Sequence, residues 1–142
     1  MPAKDRYHNT IKQALINEGW KILADPYIIQ YEDNYLQADL AASRPVAAQR
    51  GEQKIVVEIK TFSAPSTLNA FHAALGQYIF YRDLLTETAP EFDLYLATHE
   101  TAYHRLCQKA AIRFALNRNC VNLIIVNLDH ETIALWNPTT PT

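Results

Sequence analysis

The sequence predicts a mixed α/β fold, a central β-sheet with helices packed against it. Three observations lead there. The run KIVVEIKTF alternates as a strand does, with Ile55, Val57 and Ile59 on one face and Val56, Glu58 and Lys60 on the other. Three longer stretches repeat their apolar residues at three- and four-residue steps, the period of a helix. The order then reads helix, several strands, helix, strand, helix, two strands. No repeat or interdomain linker interrupts it, so residues 1–142 are expected to form one domain.

Asp5 is placed to cap a first helix running to Glu18, with Tyr7, Ile11, Ala14 and Leu15 as its buried stripe. Gly19 supplies the left-handed exit and Trp20 packs back on the last turn. An extended piece, Lys21–Leu23, ends at the Asp25-Pro26 turn. Tyr27–Glu32 and Tyr35–Ala41 then form a hairpin about Asp33-Asn34. Ser43–Gln53, with Pro45 and Gly51, reads as an irregular connection holding at most a short pairing piece. Lys54–Thr61 is the clearest strand. Ser66 or Thr67 caps a second helix through Leu85, with Leu68, Phe71, Leu75, Tyr78 and Arg82 in phase. Phe92–Thr98 is a strand, His99 to Asn117 a third helix, and Val121–Asn127 pairs with Glu131–Trp136 around Asp129-His130.

Composition narrows the function. No apolar run approaches the roughly 20 residues that cross a bilayer, and the N-terminal stretch carries no signal-peptide core, so a cytoplasmic location is expected. Cys107 and Cys120 lack metal-ligand spacing and are expected to be free thiols. A net charge of −2 argues against strong non-specific duplex binding, which feeds on many Lys/Arg–phosphate contacts. Only Gly19, Gly51 and Gly76 are glycines, so no phosphate-cradling loop exists.

The chemistry concentrates in Asp39, Glu58 and Lys60. In YLQADLAA, Leu36, Ala38 and Leu40 fall on one face and Gln37 and Asp39 on the other. Pairing this strand with KIVVEIKTF would bring Asp39 beside Glu58. Two like charges held that close are stabilised by a cation between them, Mg²⁺ or Mn²⁺, and a neighbouring ammonium can orient the attacking water of phosphodiester hydrolysis. The plain alternative for Glu-x-Lys alone is a solvated cross-strand charge pair. On the second helix Gln77 and Tyr81 stand one turn apart. Gln77 reads equally as a ligand of a phosphate oxygen or as a solvated side chain. His8 lies on the first helix, within reach of the sheet edge or simply in water.

Other patterns carry less. His99, Glu100 and His104 miss the spacing of a zinc protease, since Tyr103 holds the ligand position. Arg105, Lys109 and Arg113 recur along the third helix, with Arg118 beyond it. Arg44, Arg50 and Lys54 flank the connection between the acidic strands, where an incoming DNA backbone would need positive partners.

Over residues 3–136 the segments AKDRYHNTIKQALINEGWKI, the DP at 25–26, ADLAA, KIVVEIKTF, ALGQYIFYR and LYLA resemble, in order, the XisH family of fdxN-element excision controlling factors of filamentous cyanobacteria. That family is similar to the restriction-endonuclease-like, PD-(D/E)xK superfamily, whose core is αβββαβ. The resemblance implies Asp39 and Glu58 as metal ligands, Lys60 as the catalytic lysine, and Gln77 with Tyr81 as a helix Gln-x-x-x-Tyr motif. Ala38 replaces the signature proline, which is not a ligand. It further implies a role in developmental excision of a DNA element, beside a separate site-specific recombinase and an XisI-like companion protein. The expectation is a Mg²⁺-dependent deoxyribonuclease domain, and a homodimer if two cuts are made. Its rival is a non-catalytic regulator that binds the companion or the recombinase.

Overall fold

The structure is a computed structural model and describes residues 3–46, 51–63 and 65–138, with side chains from residue 6 onward. A six-stranded mixed sheet forms its centre, in the order β1-β4-β5-β6-β7-β8. The strands are β1 Lys21–Ala24, β4 Leu40–Val46, β5 Gly51–Ile59, β6 Phe92–His99, β7 Leu123–Asn127 and β8 Thr132–Asn137. A separate two-stranded ribbon pairs β2 Tyr27–Tyr31 with β3 Asn34–Ala38. The helices are α1 Ala3–Asn17, α2 Thr67–Thr88, α3 Glu100–Cys107 and α4 Ala110–Arg118.

The parallel pairs β5/β6 and β6/β7 are joined through α2 and through α3 with α4. Two successive right-handed crossovers running the same way along a sheet put their helices on one face. Accordingly α2, α3 and α4 share one apolar cluster with Val56, Leu94, Leu96, Leu123 and Ile125. The opposite cluster seats Ile11, Ala14 and Leu15 of α1 on Ile55, Val57, Ile59, Tyr95 and Ile124. Residues Ile55 through Ile59 are all buried, as a strand covered on both faces requires.

Local chemistry accounts for the helix ends. The Ser66 side chain accepts from Asn69 N at 3.2 Å and caps α2. At the end of α1, Gly19 has φ +97°. Gly19 N donates to Ile16 O and Trp20 N to Leu15 O, each at 3.0 Å, the paired bonds of a left-handed helix stop. Asp5 lies inside the first turn of α1, because the helix starts at Ala3 rather than at a cap on Asp5.

Three sequence expectations are corrected. Of Ser43–Gln53, Ser43–Val46 and Gly51–Gln53 are paired strand rather than irregular connection, since β4 and β5 pair from Leu40↔Val57 to Val46↔Gly51; residues 47–50 lie outside the described residues. Pro45 lies near the end of this ladder, beyond the last β1 pairing at Lys21↔Ser43. The strand expected over Tyr35–Ala41 breaks at Asp39, which occupies a bend between β3 and β4. Ala38 therefore packs with α2 while Leu40 packs with α1, on opposite sides of the sheet. The third helix is two helices. Ala102 with Leu106 and Ile112 with Leu116 are each buried one turn apart, but six residues separate Leu106 from Ile112. In one straight helix that offset is about 240°, so the pairs would face apart. The break at Gln108-Lys109 brings both onto the same core.

Candidate functional site

The bend at Asp39 builds the site. One carboxylate oxygen of Asp39 accepts from Ile59 N at 2.7 Å, so Asp39 docks on the backbone between Glu58 and Lys60. All three line one cleft of about 310 Å³ with Pro26, Gln37, Ala38, Ile59, Thr61 and Gln77. It opens at the carboxyl end of β5, where parallel strands present their ligand sites. Glu58 is buried at 6% exposure and faces the α2 side with Val56, as the alternation of KIVVEIKTF predicts. Lys60 follows the strand's last residue, and its N–H extends the ladder to Ala97 O at 2.9 Å.

From α2, Gln77 Nε2 donates to the Tyr81 hydroxyl at 3.1 Å, and that hydroxyl donates to Gln37 O at 3.2 Å. Burial raises the Tyr81 phenol above its ordinary value. The hydrogen bond from Gln77 works the other way, and the negative charges of Glu58 and Asp39 add to the rise. Both acids thus act on one hydroxyl, and Tyr81 stays a neutral donor. With Nε2 committed to Tyr81, Gln77 Oε1 is buried and meets no hydrogen-bond partner among the described residues. An orphaned acceptor at the wall of an acidic cleft suits a cation or a donor from a bound molecule.

α1 approaches Asp39 from the opposite layer of the sheet. His8 Nδ1 lies 3.9 Å from Asp39 Oδ1, and His8 Nε2 lies 2.9 Å from Asp25 Oδ1. Lys12, one turn on, donates to Asp25 Oδ2 at 2.7 Å. Burial would raise the Asp25 carboxyl, but hydrogen bonds and charge from Lys12 and His8 outweigh it and hold the group below its ordinary value. Beyond Lys60, the chain is pinned by its carbonyls. His99 Nε2 meets Thr61 O at 3.2 Å, and Arg105 donates to Phe62 O at 3.0 Å. Phe62 is buried at φ +52°, a left-handed conformation that these contacts hold in place.

Residues 1–134 match the protein family described as XisH protein. The chain belongs to the XisH family. It is similar to the crystal structure of an XisH family protein from Nostoc punctiforme PCC 73102, with 36% identity and a TM-score of 0.83. The match covers 93% of this chain and 98% of that one. It is equally similar to an fdxN element excision controlling factor protein from Anabaena variabilis, with 35% identity, a TM-score of 0.83 and the same coverage. No curated protein matches it.

In this XisH chain the structure gathers Asp39, Glu58, Lys60 and Gln77 in one cleft, with Tyr81 hydrogen-bonded to Gln77 and His8 beside Asp39. Of the expected basic group, it does not bring Arg44 or Lys54 there. Arg44 pairs with Gln53 toward the far end of the β4/β5 ladder, and its guanidinium stacks 4.9 Å over Trp20. Lys54 sits four residues before Glu58, roughly 13 Å along the strand, with its ammonium 5.8 Å from the Phe92 ring. Arg50 falls outside the described residues. Of the third-helix stripe, Arg105 donates to Phe62 O and Arg113 to Cys107 O. His99 caps α3 through Ala102 N and stacks on Tyr7 at 5.3 Å, a structural role. Cys107 and Cys120 are free thiols. Among the described residues, no three His, Cys, Asp or Glu side chains form a ready-made metal cage, and no helix is long and apolar enough to cross a membrane. Sequence reasoning missed Asp25 and Lys12. Asp25 read only as a turn residue before Pro26, and no spacing rule links it to His8 across a helix, a tight exit and a strand.

Proposed function

We propose that the chain is a DNA-processing factor that acts in excision of a DNA element through a metal-dependent phosphodiester-hydrolysing site of the restriction-endonuclease-like type. The observation that carries the reading is the bond from Ile59 N to Asp39, which fuses Asp39 to the Glu58-Ile59-Lys60 backbone within one cleft. The names of the two similar structures, an XisH family protein and an fdxN element excision controlling factor, support the excision role.

The donor set fits a hard divalent cation. Mg²⁺ and Mn²⁺ take one or two carboxylates and complete their shell with water and substrate phosphate, so a cage of three protein ligands is not required. Asp39 and Glu58 supply those carboxylates, with the Gln77 Oε1 acceptor and His8 Nδ1 nearby. When bound, such an ion polarises the phosphoryl oxygen and lowers the proton affinity of its water. Lys60, whose backbone N–H is held by Ala97 O, would bring an ammonium to the cleft to orient a water and offset negative charge developing on the phosphoryl group. Gln77, braced by Tyr81, would offer its free Oε1 to a group bound in the cleft, and His8 stands beside Asp39.

The test incubates the protein with duplex, single-stranded and branched DNA and Mg²⁺ or Mn²⁺, beside Lys60→Ala and Asp39→Asn. The expected outcome is metal-dependent cleavage by wild type, reduced at least about a hundredfold in each variant. Equal products from all three would remove the cleft from the reaction. A second reading is favoured by the places of Arg44 and Lys54, whose charged groups stack on Trp20 and Phe92 rather than lining the cleft. In that reading the fold is a non-catalytic regulator that binds an XisI-like companion or the recombinase. Glu58→Gln would then leave excision in cells unchanged, whereas the nuclease reading predicts its loss.

A further inference from the structure

A chain of contacts runs from α1 to the acidic cleft. Lys12 Nζ donates to Asp25 Oδ2 at 2.7 Å, Asp25 Oδ1 meets His8 Nε2 at 2.9 Å, and His8 Nδ1 faces Asp39 Oδ1 at 3.9 Å. His8 and Lys12 stand four residues apart on one face of α1, so both reach the same carboxylate at the end of β1.

We propose that Asp25 is a positioning residue: with Lys12, it fixes the His8 ring so that Nδ1 is the nitrogen presented to Asp39 and the cleft. An ionised carboxylate accepts hydrogen bonds and donates none, and Asp25 already takes one from Lys12. The short contact to His8 therefore requires the proton on Nε2. In the neutral ring, the Nδ1 lone pair then points at a carboxylate oxygen 3.9 Å away, too far for a hydrogen bond. Two acceptors facing across that gap leave room for a cation or a donor between them. Two ligand atoms each about 2.1 Å from one ion stand up to about 4 Å apart. An imidazole nitrogen opposite a carboxylate favours Mn²⁺ over Mg²⁺, and a carboxylate behind the imidazole orients the ring. Without Asp25 the ring would populate both tautomers and rotate more freely, losing its aim at Asp39.

This inference rests on the reading of the cleft as a cation site, and the experiment separates the two. Nitrogen NMR shifts of His8 in the metal-free protein, in mildly alkaline buffer, report the tautomer directly. The expected result is a predominant Nε2–H form in wild type and a mixture in Asp25→Ala. Mn²⁺ and Mg²⁺ affinities by calorimetry supply a double-mutant cycle. Asp25→Ala is expected to weaken Mn²⁺ about tenfold or more in the wild-type background and to cost nothing further in His8→Ala. An unchanged tautomer in Asp25→Ala, or an equal loss in both backgrounds, overturns the positioning role. Asp39→Asn is the separate control: Mn²⁺ binding that ignores it sinks the cation site, while the tautomer measurement still decides the role of Asp25.

Discussion

At the scale of single residues, the site depends on backbone contacts as much as on charges. Asp39 is oriented by Ile59 N, Gln77 by Tyr81, and the stretch after Lys60 by His99 and Arg105. His99 has a measurable consequence. Burial lowers its pKa below the ordinary 6.5, the Thr61 carbonyl opposes the fall and the Arg105 charge adds to it. In the folded protein Nδ1 accepts from Ala102 N at the start of α3, so protonation there would remove the cap and set a positive charge against the helix N-terminus. The unfolded chain takes up this proton at higher pH than the folded one. His99 therefore contributes stability that is fully present above pH 6.5 and is lost as pH falls from 6.5 through the folded value. Thermal melts of wild type and His99→Gln should show a shallower acid loss in the variant across that window; parallel curves would contradict the assignment. Glu58, Lys60 and Gln77 were legible in the sequence because alternation and helical spacing place them on faces, whereas Asp39 was singled out through an alternation that the bend there breaks. The partners that aim them were not, because they are backbone groups and side chains from distant segments.

Secondary-structure elements were legible where one period runs uninterrupted, as in β5, α2 and β6. They misled where tertiary packing changes the phase. The bend at Asp39 and the break at Gln108-Lys109 both switch which residues face the core, and alternation read straight through them assigns Ala38 and Leu40 to one face. The basic residues show the same limit: sequence proximity of Arg44 and Lys54 to the acids becomes separation once β4 and β5 pair along their length. The join between α2 and the sheet offers a test at this scale. The buried Tyr78 hydroxyl donates to Leu94 O and accepts from Asn122 N, each at 3.0 Å, and so ties α2 to β6 and the entry to β7. Leu94 O keeps a second donor in Asn122 Nδ2, but Tyr78→Phe strands Asn122 N. The expected cost is about 1–3 kcal/mol by chemical denaturation, with an unchanged fold by circular dichroism. No measurable loss would mean that this bond contributes little to docking the helix.

At the scale of the molecule, the sheet divides two apolar layers and the cleft opens at its rim between them. α1 reaches the cleft from one side through His8, and α2 from the other through Gln77 and Tyr81. Such a site is held by both layers at once, so a cation bound there would couple them and raise the stability of the whole fold. The account therefore turns on whether Asp39 and Glu58 share an ion. Anomalous scattering from crystals grown with Mn²⁺ tests this most directly. The predicted result is one strong peak between the two carboxylates, absent in Asp39→Asn. No peak in the cleft, with full occupancy elsewhere or none at all, would contradict it.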